Sequence, residues 1–327
     1  MELIQVNNCP GTLATGYNTY STTCLRRVFD GRKVNHILPY GSPSSNEETD
    51  ELYEENIKRM SISGVQEKFS VILDKNKIRL IKEGEQGTHI LKPIPKVGKN
   101  LDQMPANEHL TMQIARQVFN IETAENALIF FKNGEIAYIT KRFDINDKGT
   151  KLAKEDFASL AGLTPQTHGE NYKYLGSYLD IFILLKKYLN VYKLDAPKLL
   201  KLIAFNYLFS NGDAHYKNFS LIETPQGDFR LSPAYDLLNT KMHITDRDFA
   251  LDDGLLPRNL AKGKIRDQFS ILAEESEISH KQSEDVFSDL LTRSDKVEEL
   301  IHNSYLSEKA KRNYLQSYQT RFKKLSR

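Results

Sequence analysis

A chain of 327 residues with 39% apolar and 27% charged residues can bury a sizeable core, and its composition excludes a disordered or fibrous protein. The formal net charge of +2 argues against a surface given over wholly to nucleic acid, although seven Lys or Arg stand against one Glu between Tyr305 and Arg327. Cys9 and Cys24 lack metal-site spacing, so neither a zinc site nor a disulfide scaffold is expected.

The start, MELIQVNNCPGTL, has neither the basic end nor the apolar core of a signal peptide, and no apolar run reaches the ~18 residues of a membrane span. The expected location is cytoplasmic, with delivery into a host cell left open. Residues 1–60 read as a segment packing on a first lobe, with Tyr40 to Leu52 a polar loop leading into a short charged helix.

From Ser61 to Phe143 the pattern is that of strands: FSVILD from Phe69, KIRLIK from Lys77, THILKP from Thr88, NALIFF from Asn126 and EIAYITKRF from Glu135. One helix interrupts them, PANEHLTMQIARQVF, with Leu110, Ile114 and Val118 on one stripe. Beyond Lys151 the pattern is helical, with nearly apolar helices from Gly176 and from Ala196, a single hairpin around Thr224 to Gly227, and amphipathic helices from about Phe269 to the end. The expected architecture is α+β and bilobal: a small sheet-plus-helix N-lobe over 61–143 and a mostly helical C-lobe over 144–327.

The densest cluster of polar residues is SNGDAHYKNFS, Ser210 to Ser220, followed by LSPAYDLLNT from Leu231. Asn218 and Asp236 fall at the open end of the hairpin, where an amide oxygen and a carboxylate suit Mg²⁺. Asp213 precedes them with the spacing of a kinase catalytic loop, in position to accept a hydroxyl proton, and Lys217 could neutralise phosphoryl charge. Asp, Asn and Gly are also ordinary turn formers, and that reading stays open here.

Lys92 on its strand and Glu108 near the start of the N-lobe helix have the residue types of a phosphate-positioning pair. Each is also compatible with a solvated surface position. SISGVQEK carries Ser61, Ser63, Gly64 and Lys68, the donors of a phosphate-holding loop or of a plain turn.

The ordered series SISGVQEK, THILKP, NEH, KRFD, KEDF, NGDAHYKNFS and PAYDLL resembles the HipA family of bacterial serine/threonine kinases, toxins of toxin–antitoxin systems. The resemblance implies a protein-kinase-like (HipA-like) fold and use of ATP and Mg²⁺. It implies Asp213 as catalytic base, Asn218 and Asp236 as metal ligands, and Lys92 on the nucleotide phosphates. His215 and the hinge from Lys141 to Phe143 join the nucleotide site, with Lys141 where the family usually has Glu.

The serine loop of this family is both phosphate loop and autophosphorylation site, so the resemblance implies modification of Ser61 or Ser63. The Ser-Ile-Ser pair resembles the short HipT-type kinases. That implies a separate small antitoxin supplying a missing N-terminal subdomain, a helix-turn-helix DNA-binding antitoxin, and a protein substrate such as an aminoacyl-tRNA synthetase. A small-molecule kinase, an effector kinase acting on a host protein, and a silent kinase-fold binding module are the competing readings. Direct nucleic-acid contact by the basic C-terminal helices is left open.

Overall fold

The computed structural model describes residues 5–43, 67–146, 148–245 and 247–327. The expected loop and charged helix between Tyr40 and Met60, and Ser61, Ser63 and Gly64 with them, lie largely or wholly outside the described residues. Strands β1 Phe69–Asp74, β2 Lys77–Leu80, β3 His89–Lys92, β4 Asn126–Phe130 and β5 Ile136–Lys141 form one sheet in the order β2-β1-β3-β5-β4. Every pairing in it is antiparallel.

Local chemistry accounts for these strands. In β1 the alternation puts Phe69 and Val71 in the core. Pairing of Asp74 with Lys77 leaves a two-residue turn, which Lys75 enters at φ 54°, the sense of rotation that such hairpins favour.

The N-terminal segment is more ordered than its sparse pattern suggests. Helix α1, Thr22–Val28, starts at Ser21, whose hydroxyl accepts the Cys24 N–H at 3.2 Å. Flanking backbone bonds to β4, including Leu128 N–H to Pro10 C=O at 2.8 Å and Phe130 N–H to His36 C=O at 2.8 Å, cover an edge that would otherwise stay unpaired. Cys9 and Cys24 are free and buried.

Helix α2, Met104–Gln117, opens with Pro105 in its first turn, where the missing N–H costs nothing. Its apolar stripe predicts one buried face, yet Pro105 to Ala115 are all buried. The reason is tertiary: α2 packs against β4 and β5 on one side and against helix α7, Ser294–Asn303, on the other. Its Leu110, Met112 and Ile114 belong to the core of the helical lobe. The sheet has a second core, shared with the N-terminal segment.

In the helical lobe α3 spans Tyr178–Tyr188 and α4 Tyr192–Leu208. Helices α5 Ile265–Glu275, α6 His280–Leu291, α7 and α8 Glu308–Leu325 complete it. Helix α4 begins one turn earlier than the sequence suggests and contains Pro197. Among the described residues no helix is long and apolar enough to cross a membrane.

The expected single hairpin proves to be part of a three-stranded sheet. Strands β7 Ser220–Glu223 and β8 Phe229–Leu231 are joined by β6, Lys154–Asp156. Three residues of KED carry no alternation to read, and only their pairing with β7, from Lys154 against Ile222 to Asp156 against Ser220, makes them a strand. Buried Asp195 of α4 accepts the Leu231 N–H at 2.9 Å, which holds the hairpin against the lobe.

Candidate active site

The hairpin, the N-lobe sheet and α2 converge on one lysine. Lys92, at the end of β3 and 4% exposed, donates to Glu108 Oε1 at 2.6 Å and also to Asp236 Oδ1. Glu108 lies on α2 and is 2% exposed. Lys68, just ahead of β1, stands 3.8 Å from the other oxygen of Asp236.

Burial opposes every charge in this cluster, and pairing decides which charges persist. Desolvation pushes the Lys92 ammonium down, but Asp236 and Glu108 outweigh it and hold the group protonated well above its ordinary value. Asp236 is opposed by burial in the same way, and Lys92 and then Lys68 keep it ionised far below the usual carboxylate range. Burial leaves Glu108 raised despite Lys92, because Asp236 takes a share of that cation and adds its own negative charge.

Asp236 occupies the left-handed region, at φ 56°, which a β-carbon makes unfavourable. Its surroundings hold it there. Tyr235 donates to the Lys217 carbonyl at 2.8 Å and hydrogen-bonds the Ser220 hydroxyl, tying the approach to Asp236 to the residues around Asn218. On the other side, Asn107 beside Glu108 donates to the Asn239 carbonyl at 2.9 Å and accepts the Asn239 N–H at 3.1 Å.

The loop before β7 presents Asp213. Burial raises its carboxyl pKa, opposed by Tyr174, which donates to Oδ1 at 2.7 Å. Two residues on, burial pushes the His215 imidazole down to about 3, with help from Lys173. Among the described residues its buried Nδ1 has no hydrogen-bond partner. The Asn218 amide oxygen accepts the His215 N–H at 3.1 Å, closing the short turn between them.

The remaining predicted residues divide. The Phe143 ring packs on Tyr235 at 5.7 Å, with the Lys154 ammonium 5.6 Å and 5.0 Å from the two ring centres, so it borders the site. Lys217 turns toward Asp156 at 3.8 Å and the Tyr172 hydroxyl at 3.4 Å. The Lys141 ammonium pairs with Asp30 at 2.5 Å; no described contact joins it to Lys92 or Asp236, so only its backbone remains for a hinge contact.

Asn107, Tyr174, Tyr235 and Lys154 hold or border the cluster, and sequence reasoning did not single them out. Tyr235, Lys154 and Asn107 lie inside the motifs PAYDLL, KEDF and NEH, which were the available signal. A groove of ≈ 730 Å³ beside β6 and β7, lined by Leu152, Lys154, Tyr188 and Phe229 among others, includes none of the acidic groups described above. Lys154 borders both this groove and the cluster, and the convergence of charge is what marks the cluster as the candidate site.

A strand lysine paired with a helix carboxylate in a sheet lobe, set against a helical lobe with an Asp-bearing loop and hairpin, defines a bilobal protein-kinase-like fold. The chain belongs to the HipA-like C-terminal domain family, which matches residues 60–299. It is 31% identical over 242 residues to the Y4dM protein of Sinorhizobium fredii, named only as a candidate kinase, covering 69% of this chain and 56% of that one. It is 26% identical over 223 residues to the serine/threonine-protein kinase toxin HipA of Shewanella oneidensis, covering 62% and 49%. The chain thus spans about half the length of these curated relatives.

Two solved structures share the fold. A chain of the HipA, HipB and operator DNA complex from Shewanella oneidensis superposes with a TM-score of 0.58 at 22% identity, covering 82% of this chain and 64% of that one. The Helicobacter pylori proinflammatory kinase CtkA gives 0.52 at 15% identity, covering 77% and 91%.

Proposed function

We propose that this chain is an ATP- and Mg²⁺-dependent serine/threonine protein kinase of the toxin–antitoxin type. The observation that carries the reading is the pair of hydrogen bonds from Lys92, one to Glu108 and one to Asp236. In protein kinases a strand lysine paired with a helix glutamate orients the nucleotide phosphates beside the metal-binding aspartate. A catalytically silent fold would have no need to bury Lys92 and Glu108 against a partly exposed Asp236, since each buried charge costs several kcal/mol before pairing, by the usual order of magnitude.

The donors here fit Mg²⁺ entering with a nucleotide. Among the described residues no three His, Cys, Asp or Glu side chains cluster as a metal cage, and Mg²⁺ characteristically takes one or two protein oxygens and fills its shell with water and phosphate. The ionised Asp236, with ammonium groups standing against both of its oxygens, and the Asn218 amide oxygen would hold it. When bound, the ion neutralises charge on the phosphates.

In this reading Lys92 and Lys68 orient the phosphates, and Phe143 with the backbone from Lys141 borders the base. Asp213 accepts the proton of a serine hydroxyl as its oxygen bonds to the γ-phosphorus and the bond to ADP breaks. Lys217 is close enough to the loop to exchange Asp156 for phosphoryl oxygens, and His215 contributes an uncharged ring nitrogen to the phosphate side. Lobe boundaries at 61–143 and 144–327, with the described part of residues 1–60 as a segment of the N-lobe, follow from the same reading.

The finer proposals are those of a short HipT-type kinase in the cytoplasm. They are autophosphorylation of Ser61 or Ser63, a small antitoxin protein as partner, a helix-turn-helix antitoxin, and an aminoacyl-tRNA synthetase as substrate. The HipA-related complex that shares this fold contains HipB and operator DNA, which supports an antitoxin partner. A phosphate dianion on the loop would repel ATP and switch the kinase off.

The test is mass spectrometry of dephosphorylated protein incubated with ATP and Mg²⁺, beside Asp213→Ala. Phosphate on Ser61 or Ser63 in the wild type alone is expected. Equal incorporation in both, or none in either with antitoxin and candidate substrates added, would overturn the reading.

A further inference from the structure

Arg321 is one of the seven basic residues of the C-terminal stretch, yet it is 4% exposed. Its guanidinium lies over the Tyr207 ring at 4.7 Å, its Nε donates to the Ser210 hydroxyl at 3.3 Å, and its Nη1 pairs with Asp248 at 2.6 Å. Those three partners belong to different parts of the molecule. Tyr207 lies in the last turn of α4, Ser210 opens the loop that carries Asp213, and Asp248 follows Asp236 by twelve residues.

Ser210 needs such a partner. It is held at φ 54°, an uncommon state for a residue with a β-carbon, which the surroundings must enforce. Its carbonyl accepts Thr240 N–H at 3.1 Å and Thr240 Oγ1–H at 3.0 Å, while its hydroxyl meets Ser317 at 2.9 Å as well as Arg321. Two turns before Arg321 on α8, Tyr314 bonds Thr111 at 2.8 Å, and Thr111 donates to the Asn107 carbonyl at 2.9 Å. One face of α8 thus braces the Asp213 loop, the segment after Asp236 and the helix of Glu108.

We propose that Arg321, through its fork to Ser210 and Asp248, is a positioning residue that sets the Asp213 loop against the segment following Asp236. A planar guanidinium reaches three directed partners at once, whereas an ammonium of similar length does not. Asp248, half-exposed on the segment side, is the end of this link that solvent and ligands can reach. The inference rests on the kinase reading for its consequence in phosphoryl transfer, but the mechanical link stands on the contacts alone.

The test compares wild type, Arg321→Lys, Asp248→Asn and Asp213→Ala as full-length chains, reading amide hydrogen exchange over residues 209–216 and phosphate incorporation against ATP concentration. Arg321→Lys is expected to speed exchange in that loop. It should lower the maximal incorporation rate about tenfold, with half-saturating ATP within about twofold, as for a displaced base rather than lost binding. Asp248→Asn should do the same to a smaller extent, and its half-exposed position keeps the fold intact if Arg321→Lys does not fold. Unchanged loop exchange in both variants would overturn the link. Loss of rate matched by an equal rise in half-saturating ATP would overturn the positioning role. If Asp213→Ala transfers phosphate like wild type, the kinase reading falls instead, and loop exchange still decides the link.

Discussion

Lys92, at the end of β3, and Asp236, beyond the hairpin of the other lobe, share a hydrogen bond across 144 residues of sequence. This bond joins the lobes at the point where the N-lobe lysine already holds the buried Glu108. The cluster is therefore a structural joint as well as a candidate nucleotide site.

Its loss should be costly for a specific reason. Lys92→Met leaves Glu108 buried without a cation, an expected destabilisation of about 3–5 kcal/mol. Adding Glu108→Gln should recover a coupling of at least about 1 kcal/mol, since the second change removes the stranded charge. Urea unfolding of the two single variants and the double variant gives the answer, and strictly additive losses would contradict it.

Asp213 makes a prediction in pH. A general base works only when unprotonated, so the transfer rate should rise with pH through its pKa and level off above. Burial sets that inflection above the ordinary value of 3.8. Tyr174→Phe removes a donor that favours the carboxylate, and the inflection should move up by about one unit. Asp213→Asn should lower the plateau by about 10²–10⁴. A Tyr174→Phe profile that overlays the wild type would remove Asp213 from the role of base.

Two buried histidines predict acid lability. His89 hydrogen-bonds the Val28 carbonyl through Nε2, His109 approaches that of Gly11, and burial lowers both pKa values from 6.5 to about 4. Between those values the unfolded chain binds protons that the folded rings refuse. Stability should thus fall as pH drops through this window, by about 1.4 kcal/mol per pH unit for each ring, and the loss should end below the folded pKa. Urea midpoints at about pH 7.5 and about pH 5 measure it, and His89→Gln, which keeps the bond to Val28, should give a shallower dependence.

The N-terminal segment is packed without slack at Gly11. A β-carbon there would meet the Cys24 sulfur at 2.0 Å, so Gly11→Ala should cost about 1–3 kcal/mol by overpacking. Cys24→Ala in the same chain removes the sulfur and should make the second change less costly than the first alone. Thermal midpoints of the four chains test this, with additivity as the contrary result.

Much of the architecture was legible along the chain. Alternation in FSVILD and EIAYITKRF, the turn at Asn133-Gly134 and the entry at Pro105 are short-range signals, and β1, β5 and α2 follow them within a residue or two. β6 was not legible, because three residues carry no period and the strand exists only through β7. The full burial of α2 was also hidden, since its stripe reports one face while the second lobe covers the other. The motifs brought Asp213, Asn218 and Asp236 to notice, but Tyr174, which donates to Asp213, lies outside every motif, and the roles of Tyr235 and Asn107 show only when the fold brings them into contact with Lys217 and Asn239.

By itself the sequence determined most of the longer elements, the fold class and the family, because backbone periodicity, turn chemistry and motif spacing act over a few residues at a time. Only the tertiary structure decided which charges meet. Lys92 could have been a solvated strand lysine and Arg321 one more basic residue of a surface helix. Each is buried, and a buried charge persists only where the fold delivers its partners, Glu108 and Asp236 for one and Asp248 for the other. No local pattern encodes partners as far apart in sequence as Lys92 and Asp236, which are separated by 144 residues.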